Sequence, residues 1–585
     1  MALFQIVIKF APQKTGAFLV LNHIKISRIV VHEMSTKFTA TELEILSKYV
    51  TDPEGDIFAI KNLPGIVGAA YARYSRAKGG FREVLLKEFL KEGIIDPKHA
   101  EELIERILIA FGDDSVGELE GAHMSFENIS NLAAKEIEDR RIAGSPIEQS
   151  SRYVFYDHRD AQGNFRYLRE KRIMASPYAQ EYVTTLDFVF QTYCDLIEPM
   201  TEYFKKLKPI EHAAYDILGN GEKQKFRDLK NDNDKKAFER TYRFDLKTKT
   251  CDTLRCLLPA ATLTNVGIFG NGRFFQHLIT HLLTKNVVEF NEIGRKAHTE
   301  LSKVIAQYVR RAKRNEYNAE TDSAVRSLTQ DLLKNTPAEK GDEVTLLENP
   351  RTEKEFEDYL IAQMLYAASS HPLTQLRRFV QKLSEKEKMR IVDAYYGKRS
   401  VRRDRPGRAL EFGYPLTFDL VGDFGMYRDI QRHRMCTQER QLLSPYLGFD
   451  IAHELIEARQ GDTIAECRDR SALLYEKLAR EFPEEAQYVV LFGFNIRWCM
   501  GMNDREAMHL LELRTVPQGH PSYRQLCQKM HSAIATRSPW RAAHMSFVDH
   551  ADYFWSRGDA EARQRVKERA IEKKYGTKEK NIATT

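Results

Sequence analysis

The chain has 585 residues, 89 Lys and Arg against 83 Asp and Glu for a net charge of +6, with 42% hydrophobic and 29% charged residues. That length gives a prior of roughly two to four domains with real cores and excludes a small disulfide scaffold. The charge is too slight to recruit nucleic acid by itself, and the lack of any run of 18 apolar residues describes a soluble globular chain, not a membrane one.

Taken in chain order, Leu3 to Phe10 alternates apolar residues with charge and lacks the cleavage pattern of an export signal. A helix is expected from Lys37 to Val50, which makes Met34, at the head of a more polar stretch, an expected translation start. Asn271-Gly-Arg273-Phe-Phe-Gln-His277-Leu-Ile then recurs as Asn503-Asp-Arg505-Glu-Ala-Met-His509-Leu-Leu, displaced by 232 positions, which marks an internal duplication. Asn503 is suited to cap a helix, with Glu506 returning the hydrogen bond in a capping box. Each copy is followed by a long amphipathic helix, Val287 to Tyr308 and Pro521 to about Thr536, the second with Pro in its first turn. Between the copies, Asn315 to about Pro350 is polar, with a Gly341-Asp342 turn signal, and reads as a connection. Alternation of Leu416, Phe418 and Leu420 with Thr417 and Asp419 predicts a strand. Asp559 to Thr585 is highly charged and reads as a solvated helix or frayed tail, with no nucleic acid expected. The organisation is therefore an N-terminal extension 1–50, a first domain 51–314, a linker 315–352, a second domain 353–548 and a charged tail 549–585. Seven cysteines without a C-x-x-C pair indicate no disulfide framework or zinc ribbon and suit a reducing cytoplasm. Gly267-x-x-Gly270-x-Gly272 has the wrong order for a dinucleotide fingerprint, and His520 and His544 have no metal-ligand spacing to the cysteines, so no metal is expected.

Two segments concentrate arginine: Asp139-Arg140-Arg141 through Glu148-Gln-Ser150-Ser151-Arg152-Tyr153, and Asp429-Ile-Gln431-Arg432-His433-Arg434 through Glu439-Arg440. Guanidinium forks beside hydroxyls and a carboxylate grip phosphate, but the same composition also forms ion pairs through Asp139, Glu148 or Glu439.

The spelling resembles that of the flavin-dependent thymidylate synthases, whose hallmark is Arg-His-Arg followed closely by Glu-x-Ser-x-Arg. Arg432-His433-Arg434 matches the first half and Glu148-x-Ser150-x-Arg152 the second. Ala69-Ala-Tyr-Ala-Arg73-Tyr-Ser75, Asp114-Ser115-Val-Gly-Glu118, Leu254-Arg255-Cys-Leu-Leu-Pro259 and both Asn-x-Arg elements are similar to further family segments. The resemblance implies an α+β fold of two tandem thymidylate synthase complementing protein-like domains, each a sheet flanked by helices. It implies methylation of dUMP to dTMP with methylenetetrahydrofolate and NADPH through FAD. It also places Glu148, Ser150, Arg152 and Arg255 at the dUMP phosphate and sugar and Arg514 at the pyrimidine, with Arg152, Arg432 and Arg514 as the catalytic arginines. Ser75, Ser115, Glu118, Asn271, Arg273, His277, Glu411, Arg432, His433, Arg434, Asn503, Arg505 and His509 are implied FAD contacts.

Bland roles compete: Asn503 as a cap, His277 and His509 as core histidines, Ser75 and Ser115 satisfying local backbone, Glu118 and Glu411 in ion pairs, the latter with Arg408. Each repeat keeps only half of the hallmark. The first has Asp139-Arg140-Arg141 and one additional residue before Glu148, and the second has Arg440-Gln-Leu-Leu-Ser444 where the first has Glu148 to Arg152. Arg255 corresponds to Gln487, and Arg514 to Leu282. Composite sites between repeats, with two chains pairing into a pseudo-tetramer, and simple decay toward a non-catalytic nucleotide- or flavin-binding protein both accommodate this pattern.

Overall fold

The computed structural model describes residues 38–63, 65–75, 77–91, 94–95, 114–401, 404–555 and 557–575. Met34 lies outside them. The chain divides into two compact units, Met1–Leu63 and Pro64–Thr585, the second holding both repeats. In the first unit, helix α1 (Ala40–Ser47) is shorter than the expected span and starts at a Thr39/Glu42 capping box. The unit closes with a bridge between Val50 and Ile60.

The second unit begins with helix α2 (Val67–Tyr74) and a tight turn at Asp114–Glu118. The first repeat then runs strand β1 (Gly121–Ser130), helix α3 (Asn131–Glu138), strand β2 (Gly144–Glu148), the long helices α4 (Ala179–Leu207) and α5 (Asp232–Leu254), strand β3 (Leu263–Asn271), and helices α6 (Gly272–Thr284) and α7 (Val288–Leu301). Its sheet is antiparallel, ordered β1-β3-β2. The expected connection carries helix α8 (Glu316–Leu333) and strand β4 (Val344–Leu346). The second repeat follows with helices α9 (Glu353–Tyr366), α10 (Leu373–Val380) and α11 (Glu385–Tyr396), strand β5 (Leu416–Asp423), helix α12 (Phe424–Ile430), strand β6 (Thr437–Arg440), helix α13 (Gly461–Leu478), strand β7 (Asn495–Met502), and helices α14 (Asp504–Arg514) and α15 (Pro521–Arg537). Its sheet is ordered β6-β7-β5-β4, so the connection supplies an edge strand to the second sheet. Helix α16 (Gly558–Tyr575) then packs back on α5, where the Gly558 N–H donates to Asp245 at 2.9 Å.

The same capping logic starts equivalent helices. Ser130 and Asp423 cap α3 and α12, and Asn271 and Asn503 cap α6 and α14, each side-chain oxygen accepting an N–H three residues on at 2.7–3.0 Å. The sheets differ in cover. β5 and β7 are buried on both faces, because α9 to α11 bring Tyr359, Leu365, Leu376 and Ile391 against Cys499. The alternation of β5 in sequence therefore does not mark a solvent face. In the first sheet Ile147 and Phe269 are 74% and 46% exposed. Of the glycines of the rejected fingerprint, Gly267 and Gly270 lie along β3 between antiparallel neighbours, and Gly272 opens α6. A Cβ at Gly270 or Gly144 falls 2.3 or 2.4 Å from the ring of Phe274, so both make room for that phenyl group.

The repeats meet back to back. Pro259 and Leu491 form a bridge, Ala260 N–H donates to Val490 O and Phe492 N–H to Leu258 O, both at 2.8 Å, while Ala261 N–H donates to Tyr488 O and Gly493 N–H to Cys256 O, both at 2.9 Å. These are reciprocal pairs under the 232-residue displacement, so a local pseudo-two-fold axis passes through the Pro259–Leu491 bridge. No helix among the described residues is long and apolar enough to cross a membrane.

Candidate functional site

Two clefts arise on the pseudo-two-fold, each walled by α3 or α12 of one repeat and the post-β2 or post-β6 segment of the other. In the first cleft, α12 of the second repeat faces Glu148 to Arg152 of the first. Glu148, with no accessible side-chain surface, accepts from Arg428 at 2.6 Å, from Lys135 at 2.8 Å and from Arg432 at 3.4 Å. Burial alone would raise its carboxyl; the three cations outweigh burial and hold it down at about 2. Arg428 also donates to Ser151 at 3.1 Å. Arg152 donates through Nε and Nη2 to both oxygens of Asp252, at 2.7 and 2.8 Å, and through Nη1 to the Tyr523 hydroxyl at 3.0 Å. Arg255 donates to Asp429 at 3.1 Å, while its Nη2 is buried with no hydrogen-bond partner among the described residues. Burial pushes the Asp429 carboxyl up, and Arg255, Arg152, Arg432 and Arg514 together hold it well below the usual range. Arg514 donates from Nε to Nε2 of His433 at 2.9 Å, and His433 meets Glu506 through Nδ1 at 3.0 Å.

Seven cations (Lys135, Arg152, Arg255, Arg428, Arg432, Arg514 and Arg557) thus face six carboxylates (Glu138, Glu148, Asp252, Asp423, Asp429 and Glu506). Burial keeps His433 and His520 below the ordinary histidine range and hence neutral. The cleft carries a surplus of one positive charge with every carboxylate ionised, and burial, by pushing Glu138 and Asp423 up toward their neutral forms, enlarges that surplus. A doubly charged anion complements it.

The second cleft holds the other half of every pair. Asp139, Arg140 and Arg141 stand where the first has Arg432, His433 and Arg434, and Arg440, Gln487 and Leu282 where it has Glu148, Arg255 and Arg514. It is filled by its own side chains. Arg440 donates to Glu136 at 2.9 Å and to Gln487 at 3.0 Å, and Arg408 grips Asp139 at 2.7 and 2.9 Å. Arg141 pairs with Glu411 at 2.5 Å, and Leu282 is fully buried. The additional residue of the first repeat falls in the segment with Ala143, at φ +63°, a left-handed conformation.

Of the residues nominated from sequence, Glu148, Ser150, Arg152, Arg255, Arg432, His433 and Arg514 come together in the first cleft, the Ser150 hydroxyl accepting from Arg152 N–H at 3.2 Å. Arg434 turns to the Gly144 carbonyl at 2.6 Å and the Ser145 hydroxyl at 2.9 Å. Asn503, Arg505 and His509 line the exposed start of α14, His509 with its ring 5.5 Å from that of His433, and Arg505 has no ion-pair partner among the described residues. Arg273 pairs with Glu118, Asn271 caps α6, and Ser75 donates to Ala72 O at 2.9 Å; no hydrogen bond or ion pair among the described residues ties these to the first cleft. The side chain of Ser115 lies outside the described residues. His277 and His509 are exposed, which overturns the core-histidine alternative. Glu411 pairs with Arg141, and Arg408 with Asp139, contrary to the pairing expected from proximity in sequence. Glu506 does not close the capping box: its carboxylate has turned to His433.

Sequence reasoning missed Lys135, Arg428, Asp252, Tyr523 and Arg557. One signal was present: an acid three residues before an arginine occurs in both repeats, as Asp252 before Arg255 and Asp429 before Arg432. At that spacing both project from one helix face. In the fold Arg255 pairs with Asp429 across the axis, Arg432 reaches across it to Glu148, and Asp252 pairs with Arg152 of its own repeat.

Comparison with known proteins adds the family. The sequence model described as thymidylate synthase complementing protein matches residues 64–314 and again 350–540. Relatives named UPF0159 protein are 37% identical over 551 residues in Chlamydia muridarum, covering 90% of this chain and 99% of that one, and 37% identical over 549 residues in Chlamydia pneumoniae, covering 90% and 98%. A UPF0159 protein of Thermoplasma acidophilum is 30% identical over 504 residues, covering 86% and 98%.

Proposed function

The chain belongs to the thymidylate synthase complementing protein family, and from that premise we propose that it is a flavin-dependent thymidylate synthase converting dUMP to dTMP. The observation that carries this reading is the convergence of Arg152 and Arg255 of one repeat with Arg432 and Arg514 of the other in a single positively charged cleft. A phosphate monoester dianion complements the surplus charge, and the buried Nη2 of Arg255, without a partner among the described residues, is a donor waiting for an oxygen. Arg152 and Arg255 hold the phosphate and sugar end, with Ser150 and Glu148 ordering them. Arg514, fixed through Nε, turns its remaining donors toward the pyrimidine. The neutral His433 ring and Tyr523 keep that end of the cleft dry.

The residues at the start of α14 fit FAD. The capped helix start, the partially exposed Arg432 and Arg505, which has no ion-pair partner among the described residues, suit a pyrophosphate, with exposed Met435 and His509 beside them. When bound, FAD supplies the hydride chemistry, with NADPH as reductant and methylenetetrahydrofolate as one-carbon donor. Two chains pairing into a pseudo-tetramer through the open face of the first sheet, where Ile147 and Phe269 are exposed, belongs to the same reading, as does a cytoplasmic setting.

A second reading, a non-catalytic nucleotide- or flavin-binding protein, draws on Arg152 being already held along its Nε and Nη2 edge by Asp252 and at Nη1 by Tyr523. The test is a visible spectrum of protein loaded with FAD and freed of excess flavin, titrated with dUMP and followed by an assay for dTMP. Retained flavin whose spectrum shifts with dUMP, with turnover, supports the synthase. The same shift without turnover supports the second reading, and flavin-free folded protein removes the first.

A further inference from the structure

Glu506 stands three residues after the cap of α14, where a glutamate ordinarily returns a hydrogen bond to the capping residue. Here it is buried and spends its carboxylate on His433 Nδ1, at 3.0 Å, with the Cys436 thiol 3.7 Å away. His433 is 4% exposed, and its Nε2 receives the Nε–H of Arg514 at 2.9 Å. An imidazole nitrogen that accepts carries no proton, so the ring is neutral with its proton on Nδ1, aimed at Glu506. The groups facing the ring are Glu506 and Arg514, with the His509 ring 5.5 Å away.

The internal repeat supplies a control. The positions equivalent to His433, Arg514 and Glu506 in the first repeat are Arg140, Leu282 and Phe274. All three members are absent together, and the phenyl ring of Phe274 fills the space between Gly144 and Gly270. A glutamate kept only for capping or packing has no reason to vanish with the histidine and arginine, since Asn271 still caps α6 without it.

We propose that Glu506 is a positioning residue: it fixes His433 in the Nδ1–H tautomer, and through that ring it aims the Arg514 guanidinium into the nucleotide cleft. What Arg514 meets there rests on the synthase reading; the Glu506–His433–Arg514 relay does not. Without an acceptor at Nδ1 the ring moves its proton to Nε2, which then opposes the Nε–H of Arg514.

The relay is tested on the full-length chain by histidine-selective 15N NMR, together with steady-state dTMP formation at varied dUMP. In the wild type His433 Nε2 is expected as the unprotonated nitrogen. In E506A the proton moves to Nε2, and kcat falls about 10- to 100-fold with a smaller change in the KM for dUMP. E506Q, whose amide oxygen still accepts, restores the tautomer and most of the rate. Should the alanine cavity unfold the chain, E506M fills the same volume without an acceptor and carries the same expectation. An unchanged tautomer in E506A or E506M, or E506Q as impaired as E506A, overturns the proposal. A tautomer switch in a chain that makes no dTMP even as wild type leaves the relay standing and removes the synthase reading.

Discussion

The two clefts on the pseudo-two-fold are built from equivalent elements, and they differ in what their charges are for. In the first, cations outnumber carboxylates and a buried guanidinium nitrogen lacks a partner among the described residues. In the second, Arg440 is matched by Glu136, Arg408 by Asp139 and Arg141 by Glu411, with Leu282 and Phe274 closing the space. Arg140 Nε of the second cleft also lacks a hydrogen bond among the described residues, but that guanidinium is already paired with Asp139 at 2.8 Å, and no surplus of cations surrounds it as one surrounds Arg255. On the synthase reading, duplication lets one scaffold serve as a receptor on one side of the axis and as a structural joint on the other.

The largest effect that separates them is on stability. Glu148→Ala leaves Arg428 buried with only the Ser151 hydroxyl and Lys135 with only Glu138, and is expected to cost about 3–5 kcal/mol, read as a fall in the denaturant midpoint. Arg440→Ala, at the equivalent position, leaves Glu136 with His281 at 2.9 Å and is expected to cost clearly less. Equal losses would erase the distinction. Next comes ligand binding. Arg255→Ala should weaken dUMP by about 1.5–3 kcal/mol, whereas Gln487→Ala should leave the Kd unchanged and calorimetry should give one dUMP per chain. Two equivalents per chain would show the second cleft to be open.

Much of this contrast was legible in the sequence and part of it was not. The repeat, the split hallmark and the exchanged Arg255/Gln487 and Arg514/Leu282 pairs could be read because motif residues keep their spacing within a helix or a turn. Which half faces which could not, because it depends on the Pro259–Leu491 junction, a contact between segments 232 positions apart. Asp252 was invisible as the partner of Arg152 for the same reason: 100 positions separate them. Secondary structure was readable where caps were strong, as at Asn271, Asn503 and Pro521. The strand β5 was readable too, from its alternation, but the cover on both of its faces was not, because that depends on helices distant in the chain.

A pH scan of thermal stability sharpens the comparison further. Burial and Arg140 lower His281 of the second cleft to about 4, so its contribution is fully present above about pH 6.5 and is lost as pH falls toward 4. His433 and His520 of the first cleft, also lowered by burial, act in the same direction. Glu148 and Glu136 stand at about 2, burial being outweighed by Arg428, Lys135 and Arg432 at the first and by the His281 hydrogen bond and Arg440 at the second, so their stabilisation is present above about pH 4.5 and lost as pH falls toward 2. Differential scanning calorimetry should therefore show Tm falling in two windows, and His281→Asn should make the upper one shallower. The smallest effect is expected at the rim: Glu411→Gln breaks a pair with a half-exposed carboxylate and should cost about 0.2–1 kcal/mol, diminishing in high salt.

The reciprocal backbone hydrogen bonds around Pro259 and Leu491 have a kinetic meaning. Were the two repeats separate subunits, the first cleft would exist only while they were associated, and it would empty of partners on dilution. Tethered in one chain, each half meets the other at an effective concentration set by the connecting polypeptide and independent of how much protein is in solution. The cleft between the repeats is thus available from a single molecule, and nucleotide affinity at nanomolar protein should equal that at micromolar protein.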